Sequence, residues 1–192
     1  MSKENFELRA QARMSLENNW GLAIAVFLIY ALIVGSISIV PILGGLTILV
    51  IAGPMALGLA LFTLSLSRHE GARLEQLFDG FQNFGNAIAA YLLMVLFVML
   101  WTLLFIIPGI IAALAYSQIF YIMADDKSIG AMEALDKSKA MMDGYKWKYL
   151  LLGLSFIGWI ILSLFTLGIG FLFLTPYMQV SYAKFYDDVK DN

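Results

Sequence analysis

The chain has 192 residues, of which 61% are hydrophobic and 14% are charged. Soluble domains are roughly 45–50% apolar and about 25% charged, so a soluble core cannot bury this much apolar surface and lipid must solvate the rest. The net charge of −2 gives no basic footprint for nucleic acid, and the lack of cysteine excludes disulfides, thiolate nucleophiles and cysteine metal sites.

Charged residues divide the chain into long apolar stretches. The runs 18–67, 80–124 and 149–183 contain no charged residue. One membrane-spanning helix needs about 20 apolar residues, so each run can hold two spans and a turn, the last only if both spans are short. We therefore predict an all-α polytopic membrane protein with six spans, at residues 20–40, 46–67, 86–107, 109–124, 149–166 and 169–186.

Glycine and proline near the middle of each run mark the turns between paired spans. The signals are Pro41 with Gly44, Pro108 with Gly109, and Gly168. They predict one membrane domain, 1–192, built from three helical hairpins. Its parts are an N-terminal amphipathic segment (1–19), hairpin 1 (20–67), a connector (68–85), hairpin 2 (86–124), an amphipathic connector helix (125–148), hairpin 3 (149–186) and a tail (187–192).

The three predicted turns carry no charge, so every Lys and Arg is predicted to lie on one side of the bilayer. Short loops rich in these residues remain cytoplasmic. We therefore expect a multi-pass protein of the bacterial plasma membrane, with both termini and both connectors in the cytoplasm.

An internal repeat supports the hairpin division. Residues 19–30 and 83–94 are identical at six of twelve positions, and a further shift of about 63 residues aligns Trp147 with Phe84. Because each unit contains two spans, successive copies keep the same orientation, which gives a parallel pseudo-repeat. Three such hairpins could pack around a pseudo-threefold axis.

The connectors have the pattern of amphipathic helices. After Ser128, apolar Ile129, Met132 and Leu135 fall largely on one face, and charged residues occupy mostly the other. Such helices can lie in the headgroup layer on the cytoplasmic side. They can equally pack on the cytoplasmic end of the bundle, and the sequence leaves both alternatives open.

Small residues recur at four-residue spacing in the first spans of hairpins 1 and 2. Gly21, Gly35 and Gly85 each have an alanine four residues away. Such spacing permits close approach of helices, either within the chain or between copies of it.

Catalytic chemistry has little support in the sequence. Away from their ends the predicted spans contain no ionisable acid, base or histidine, which argues against a proton relay, an electrogenic pump or an intramembrane metalloprotease. His69 is the single histidine, and Asp125 with Asp126 could bind Mg²⁺ but serve equally as solvated helix caps. We predict no catalytic, cofactor or metal site, and no enzyme activity.

Uncharged polar residues within the spans are the better candidates for function. Tyr116 with Gln118, and Tyr177 with Gln179, occupy similar places in hairpins 2 and 3. Amides in lipid need partners, so the glutamines either join helices or line a cavity for a lipid or other ligand. Helix kinks or turns are expected at the prolines, which are Pro41, Pro54, Pro108 and Pro176.

Several motifs resemble a known family. They are ELRA at 7–10, NWGLAI at 19–24, LFIIPGI at 104–110, WK at 147–148 and LGIG at 167–170. Together they resemble domain-of-unknown-function family 975, and the similarity spans essentially the whole chain. The resemblance implies a multi-pass bacterial membrane protein, chiefly of Gram-positive organisms, with no assigned ligand or catalytic residues.

Three functional hypotheses follow. The first is a non-enzymatic scaffold or accessory protein of the envelope, with a membrane-protein partner or a second copy of itself. The second is a passive carrier or binder of a lipid or small amphiphile in a cavity between hairpins. The third, weaker hypothesis is an enzyme that acts on headgroups at the cytoplasmic surface.

Overall fold

A computed structural model describes residues 3–38 and 43–190, and these residues contain helices and no strand. The predicted turn at Pro41 lies outside the described residues. A 3-10 turn, Gly80–Asn83, precedes α5. The helices are α1 (Asn5–Leu16), α2 (Trp20–Ser38), α3 (Leu43–Arg68), α4 (Gln76–Asp79), α5 (Phe84–Leu104), α6 (Ile106–Ala115), α7 (Ile119–Asp125), α8 (Ala131–Met141), α9 (Lys146–Leu154), α10 (Ile157–Phe165) and α11 (Phe171–Lys190).

Within residues 3–38 and 43–190, five helical stretches are long and apolar enough to cross a membrane. The final helix, α11, is not among them because only its residues 171–183 are free of charge and the rest carries four charged side chains. The all-helical class is confirmed, whereas the predicted span at 169–186 does not qualify by length and composition. The five stretches are Trp20–Ile37, Thr47–Arg68, Gln76–Leu104, Ile106–Asp125 and Lys146–Phe165.

Two of the predicted spans are interrupted. Helices α6 and α7 are separated by a turn at residues 116–118, and α9 and α10 by a turn at residues 155–156. Between α5 and α6 the chain is extended at Phe105, so Pro108 lies in the first turn of α6, where its missing N–H costs nothing. Pro54 and Pro176 lie inside α3 and α11.

Helix α3 is central and packs against α1, α2, α4, α5, α7 and α11. Glycines make two of these contacts possible. A Cβ on Gly58 would overlap the carbonyl of Leu77 before α5, and a Cβ on Gly53 would overlap the carbonyl of Ala87 in α5. Backbone therefore packs directly on backbone along one side of α3.

The small residues in the first spans have a different environment. An added Cβ on Gly21, Gly35 or Gly85 would meet no atom within 4 Å. Close approaches occur instead at other glycines, among them Gly53 and Gly58 of α3, and the spacing in α2 and α5 does not mark them.

The connector helix α8 packs on the bundle. Its buried face, which includes Ala134, Leu135 and Ser138, lies against α5 and α7, as in the second of the two alternatives. Helix α8 begins at Ala131. Before it, Ser128 donates hydrogen bonds from its backbone N and its hydroxyl to Asp126. These bonds hold the pKa of Asp126 below its ordinary value.

Ion pairs join the charged ends of the helices. The guanidinium of Arg68, at the end of α3, contacts Asp125 at 2.6 Å and Asp187 at 2.5 Å. Lys190 also contacts Asp125, at 2.6 Å. In a second cluster, Asp188 accepts from Lys148 at 2.7 Å and from the backbone N of Lys3 at 2.9 Å. We call these two clusters the ionic layer; they contain residues from all four charged stretches of the sequence.

The glycine contacts predict a stability difference. Gly58→Ala should lower the free energy of unfolding by about 1–3 kcal/mol or more, because the new methyl group overlaps rigid backbone. The matched control Gly21→Ala should raise it by up to about 1 kcal/mol, since Ala favours helix. Thermal unfolding in detergent micelles would measure both, and equal effects would contradict the packing of α3.

The ionic layer predicts a second difference. Arg68→Met should destabilise the protein by about 2 kcal/mol, because two carboxylates then face each other without their shared cation. This loss of stability is smaller than for a fully buried ion pair, because the Arg68 side chain is 24% exposed. Lys137→Met removes a cation from an exposed pair with Glu133 and should cost less than about 0.5 kcal/mol. Unfolding midpoints of the two variants would test this ranking.

Candidate functional site

The predicted residue Gln118 lies at the break between α6 and α7, and its side chain is fully buried. Its Nε2 donates to the hydroxyl of Ser117 at 2.9 Å, and its backbone N donates to the hydroxyl of Ser138 at 3.2 Å. Ser138 in turn donates to the carbonyl of Ala115 at 2.7 Å. The hydroxyl of Ser138 in α8 thus pairs with backbone groups that have no helical partner at the break between α6 and α7.

Sequence reasoning missed Ser138. A signal was present, because Ser138 continues the spacing of Ala131, Ala134 and Leu135 on the apolar face of α8. A serine in such a face needs a buried partner.

Gln179 and Tyr116 lie at other helix contacts. The hydroxyl of Tyr121 in α7 lies 3.4 Å from Oε1 of Gln179 in α11. The ring of Tyr116 is 6.1 Å from that of Phe97 in α5. These contacts suit the interhelical role that was one of the two alternatives for the polar residues.

Tyr177 differs from the other three predicted residues because it borders two cavities. Its ring packs edge-on against Phe156, with centroids 5.4 Å apart. The guanidinium of Arg13 lies 5.9 Å from the centre of the same ring. Tyr177 therefore lies at the boundary between an apolar space and a second space that is lined by arginines, the cationic space.

The apolar space is a groove of about 300 Å³. Most of its lining comes from α10, α11 and the turn between them, and α2 contributes Trp20. Trp20 of α2 packs on Phe173 of α11 with rings 6.0 Å apart, and Gly170 allows α11 to approach Ser163 of α10. The lining residues are Arg13, Trp20, Trp159, Leu162, Ser163, Thr166, Gly170, Phe173, Leu174 and Tyr177.

The cationic space continues the groove along α1. It has a volume of about 370 Å³ and shares Arg13 and Tyr177 with the apolar space. Its remaining lining residues are Phe6, Arg9, Ala10 and Met14. We refer to the two spaces together as the α1/α11 groove.

The two arginines of the groove differ from the paired cations of the ionic layer. Within residues 3–38 and 43–190, neither Arg9 nor Arg13 forms an ion pair. Arg9 donates from Nη1 to the carbonyl of Ser155 at 3.2 Å, in the break between α9 and α10. Its Nε is buried without a partner. Sequence reasoning treated these arginines only as topology signals.

The other ionisable candidates have ordinary partners. The hydroxyl of Ser15 lies 3.4 Å from Nε2 of His69. Asp125 binds Arg68 and Lys190 in the ionic layer. No group of three possible metal-binding side chains occurs in the part of the chain that the structure describes.

Comparison with known proteins gives a family and no function. The family described as "Protein of unknown function (DUF975)" matches residues 1–113 and 102–192, so the two matches together cover the whole chain. The resemblance inferred from the sequence motifs is thereby confirmed. No curated protein and no solved structure matches the chain.

The hydrogen bonds at the helix break predict a role for Ser138 in stability. Ser138→Ala should cost about 1–3 kcal/mol, because buried backbone groups of Ala115 and Gln118 lose a partner. Ser181 is equally buried, but its hydroxyl binds only the carbonyl of Tyr177 in its own helix. Ser181→Ala should therefore cost less than about 0.5 kcal/mol. Denaturant unfolding would compare them, and equal losses would contradict this assignment.

Proposed function

This chain belongs to the DUF975 family of proteins of unknown function, and we propose that it is a non-catalytic membrane protein that binds a lipid or small amphiphile in the α1/α11 groove. One observation carries the proposal. An apolar space lined mainly by α10 and α11 adjoins, at the shared residues Arg13 and Tyr177, a space that contains two arginines without ion-pair partners within the described residues. A molecule with an apolar chain and a polar head has this same division.

The dimensions of the groove support the proposal. Volumes of about 300 and 370 Å³ together fall within the range of roughly 300–1,000 Å³ for small-molecule sites. The lining is mostly aliphatic and aromatic with a few polar groups, which is the usual composition of such sites. No cofactor is required for binding of this kind.

A topology with six crossings is part of the proposal. Ion pairs support it, because Asp187 contacts the end of α3 and Asp188 contacts the beginning of α9. After α10 the chain therefore has to return to the ionic layer, and α11 is the short sixth crossing. We propose three hairpins in parallel pseudo-repeat in the plasma membrane, with the ionic layer and both termini in the cytoplasm and α1 at the interface.

The groove favours the binding hypothesis over the other two. A scaffold or accessory role needs a partner-binding surface, and the buried face of α8 is already used by α5 and α7. A headgroup enzyme would need free connector acids, whereas Asp125 accepts from Arg68, Lys190 and Tyr186.

Filling the groove tests the proposal. Leu162 and Leu164 are similarly exposed, at 54% and 62%, but only Leu162 is among the residues that line the apolar space. Leu162→Trp should lower the occupancy of copurifying amphiphile by about tenfold, as a loss of about 1.4 kcal/mol would do. Leu164→Trp should retain the occupancy of the unaltered protein. Native mass spectrometry after mild detergent extraction would measure bound amphiphile in all three.

Two outcomes would contradict the proposal. One is that the unaltered protein loses all copurifying amphiphile when the detergent is exchanged. The other is equal retention by the two tryptophan variants, with both folded as judged by unfolding midpoint.

A further inference from the structure

We infer that the occupant of the α1/α11 groove is an anionic phospholipid, with its phosphate on Arg9 and Arg13 and an acyl chain between α2 and α10. This inference rests on the proposed function and adds the chemical class of the ligand. It rests on the charge of the groove, on its hydrogen-bond donors and on the position of its apolar space.

The groove contains two arginines that form no ion pair with the described residues. Arg9 and Arg13 lie four residues apart on α1, so their side chains occupy one face of the helix, and both line the cationic space. Among the described residues, no aspartate or glutamate lines either space. Other basic groups near the helix ends, such as Arg68 and Lys148, are paired with carboxylates. The groove therefore favours an anion.

The absence of acidic lining residues also discriminates between headgroups. The ammonium of a zwitterionic lipid would find no carboxylate in the lining of the groove. An anionic headgroup needs only donors and positive charge, which the arginines supply. We therefore assign the groove to an anionic lipid rather than to a zwitterionic one.

The donors suit a phosphate. A guanidinium has five N–H groups in a planar arrangement that can bind phosphate oxygens in pairs. Arg9 uses Nη1 for the carbonyl of Ser155, and its Nε has no partner. Arg13 lies over the face of Tyr177, which leaves the edge of its guanidinium available.

The position of the chain follows from the shared residues. Because Arg13 and Tyr177 border both spaces, a phosphate at the arginines lies next to the apolar space. An acyl chain attached to it would then run along α11 past Trp20 and Trp159. Two of the four tryptophans of the protein would therefore contact the acyl chain of the lipid.

The experiment uses these tryptophans in the full-length protein. Trp101→Phe and Trp147→Phe remove the two tryptophans outside the groove and leave Trp20 and Trp159. The protein is reconstituted in phosphatidylcholine vesicles that contain either brominated phosphatidylglycerol or brominated phosphatidylcholine. Bromine quenches tryptophan on contact, so the dependence of fluorescence on the fraction of brominated lipid measures occupancy of the groove.

We expect brominated phosphatidylglycerol to quench at a lower mole fraction than brominated phosphatidylcholine, and to saturate. Arg13→Gln should reduce this preference by about three- to tenfold, the range for loss of a charge-assisted contact to phosphate. Arg13→Lys should retain part of it. Arg73→Gln is the matched control, because Arg73 has no ion pair within the described residues and lies outside the groove, and its preference should be unchanged.

The outcomes separate this inference from the proposed function. Saturating quenching that is equal for the two lipids would overturn the anionic assignment and leave the amphiphile site intact. Quenching that only follows the bulk lipid fraction would overturn both. Displacement of the lipid by millimolar inorganic phosphate would assign the arginines to a free anion and overturn the lipid assignment. If Arg13→Gln does not fold, loss of the preference in high salt provides the same test, and a preference unchanged by salt would refute it.

Discussion

The absence of charged side chains from the three long apolar runs is the constraint on which the rest of the structure depends. An unpaired charge at the centre of a bilayer costs at least about 2.5–3.5 kcal/mol, and the charged side chains all lie in the short stretches that flank these runs. Arg68, Asp125 and Asp187 join the ends of α3, α7 and α11. Lys148 and Asp188 join α9 to α11. The ionic layer thus holds four of the helices together near their ends.

The backbone imposes a second constraint, because groups exposed by a helix break need partners in an apolar environment. The two breaks receive them from helices outside the apolar spans. Ser138 of α8 bonds to the carbonyl of Ala115 and the N–H of Gln118. Arg9 of α1 bonds to the carbonyl of Ser155. The amphipathic helices α1 and α8 are therefore integral to the packing, and their polar residues stabilise irregular backbone.

The sequence predicted the features that depend on local composition. Uncharged runs predicted the apolar helices, and Gly168 marked the turn before α11, where its φ is +88°. The breaks at 116–118 and 155–156 were not predicted, because neither turn contains a proline or a glycine. The partner of Gln118 comes from 20 residues away, and no periodicity shows such a pairing. The groove is lined by residues from α1, α2, α10 and α11, so it has no local sequence signature, and only Tyr177 was predicted among its lining residues.

The break at residues 155–156 has a mechanical consequence. Helix α9 is tied to α11 by Lys148 and Asp188, whereas α10 beyond the break packs chiefly on α11. The opposite side of the molecule is stiffened by the backbone contacts of α3. Helix α10 is thus held mainly by α11, whereas α3 packs against several helices. Amide hydrogen exchange that is faster in α10 than in α3 would report this asymmetry.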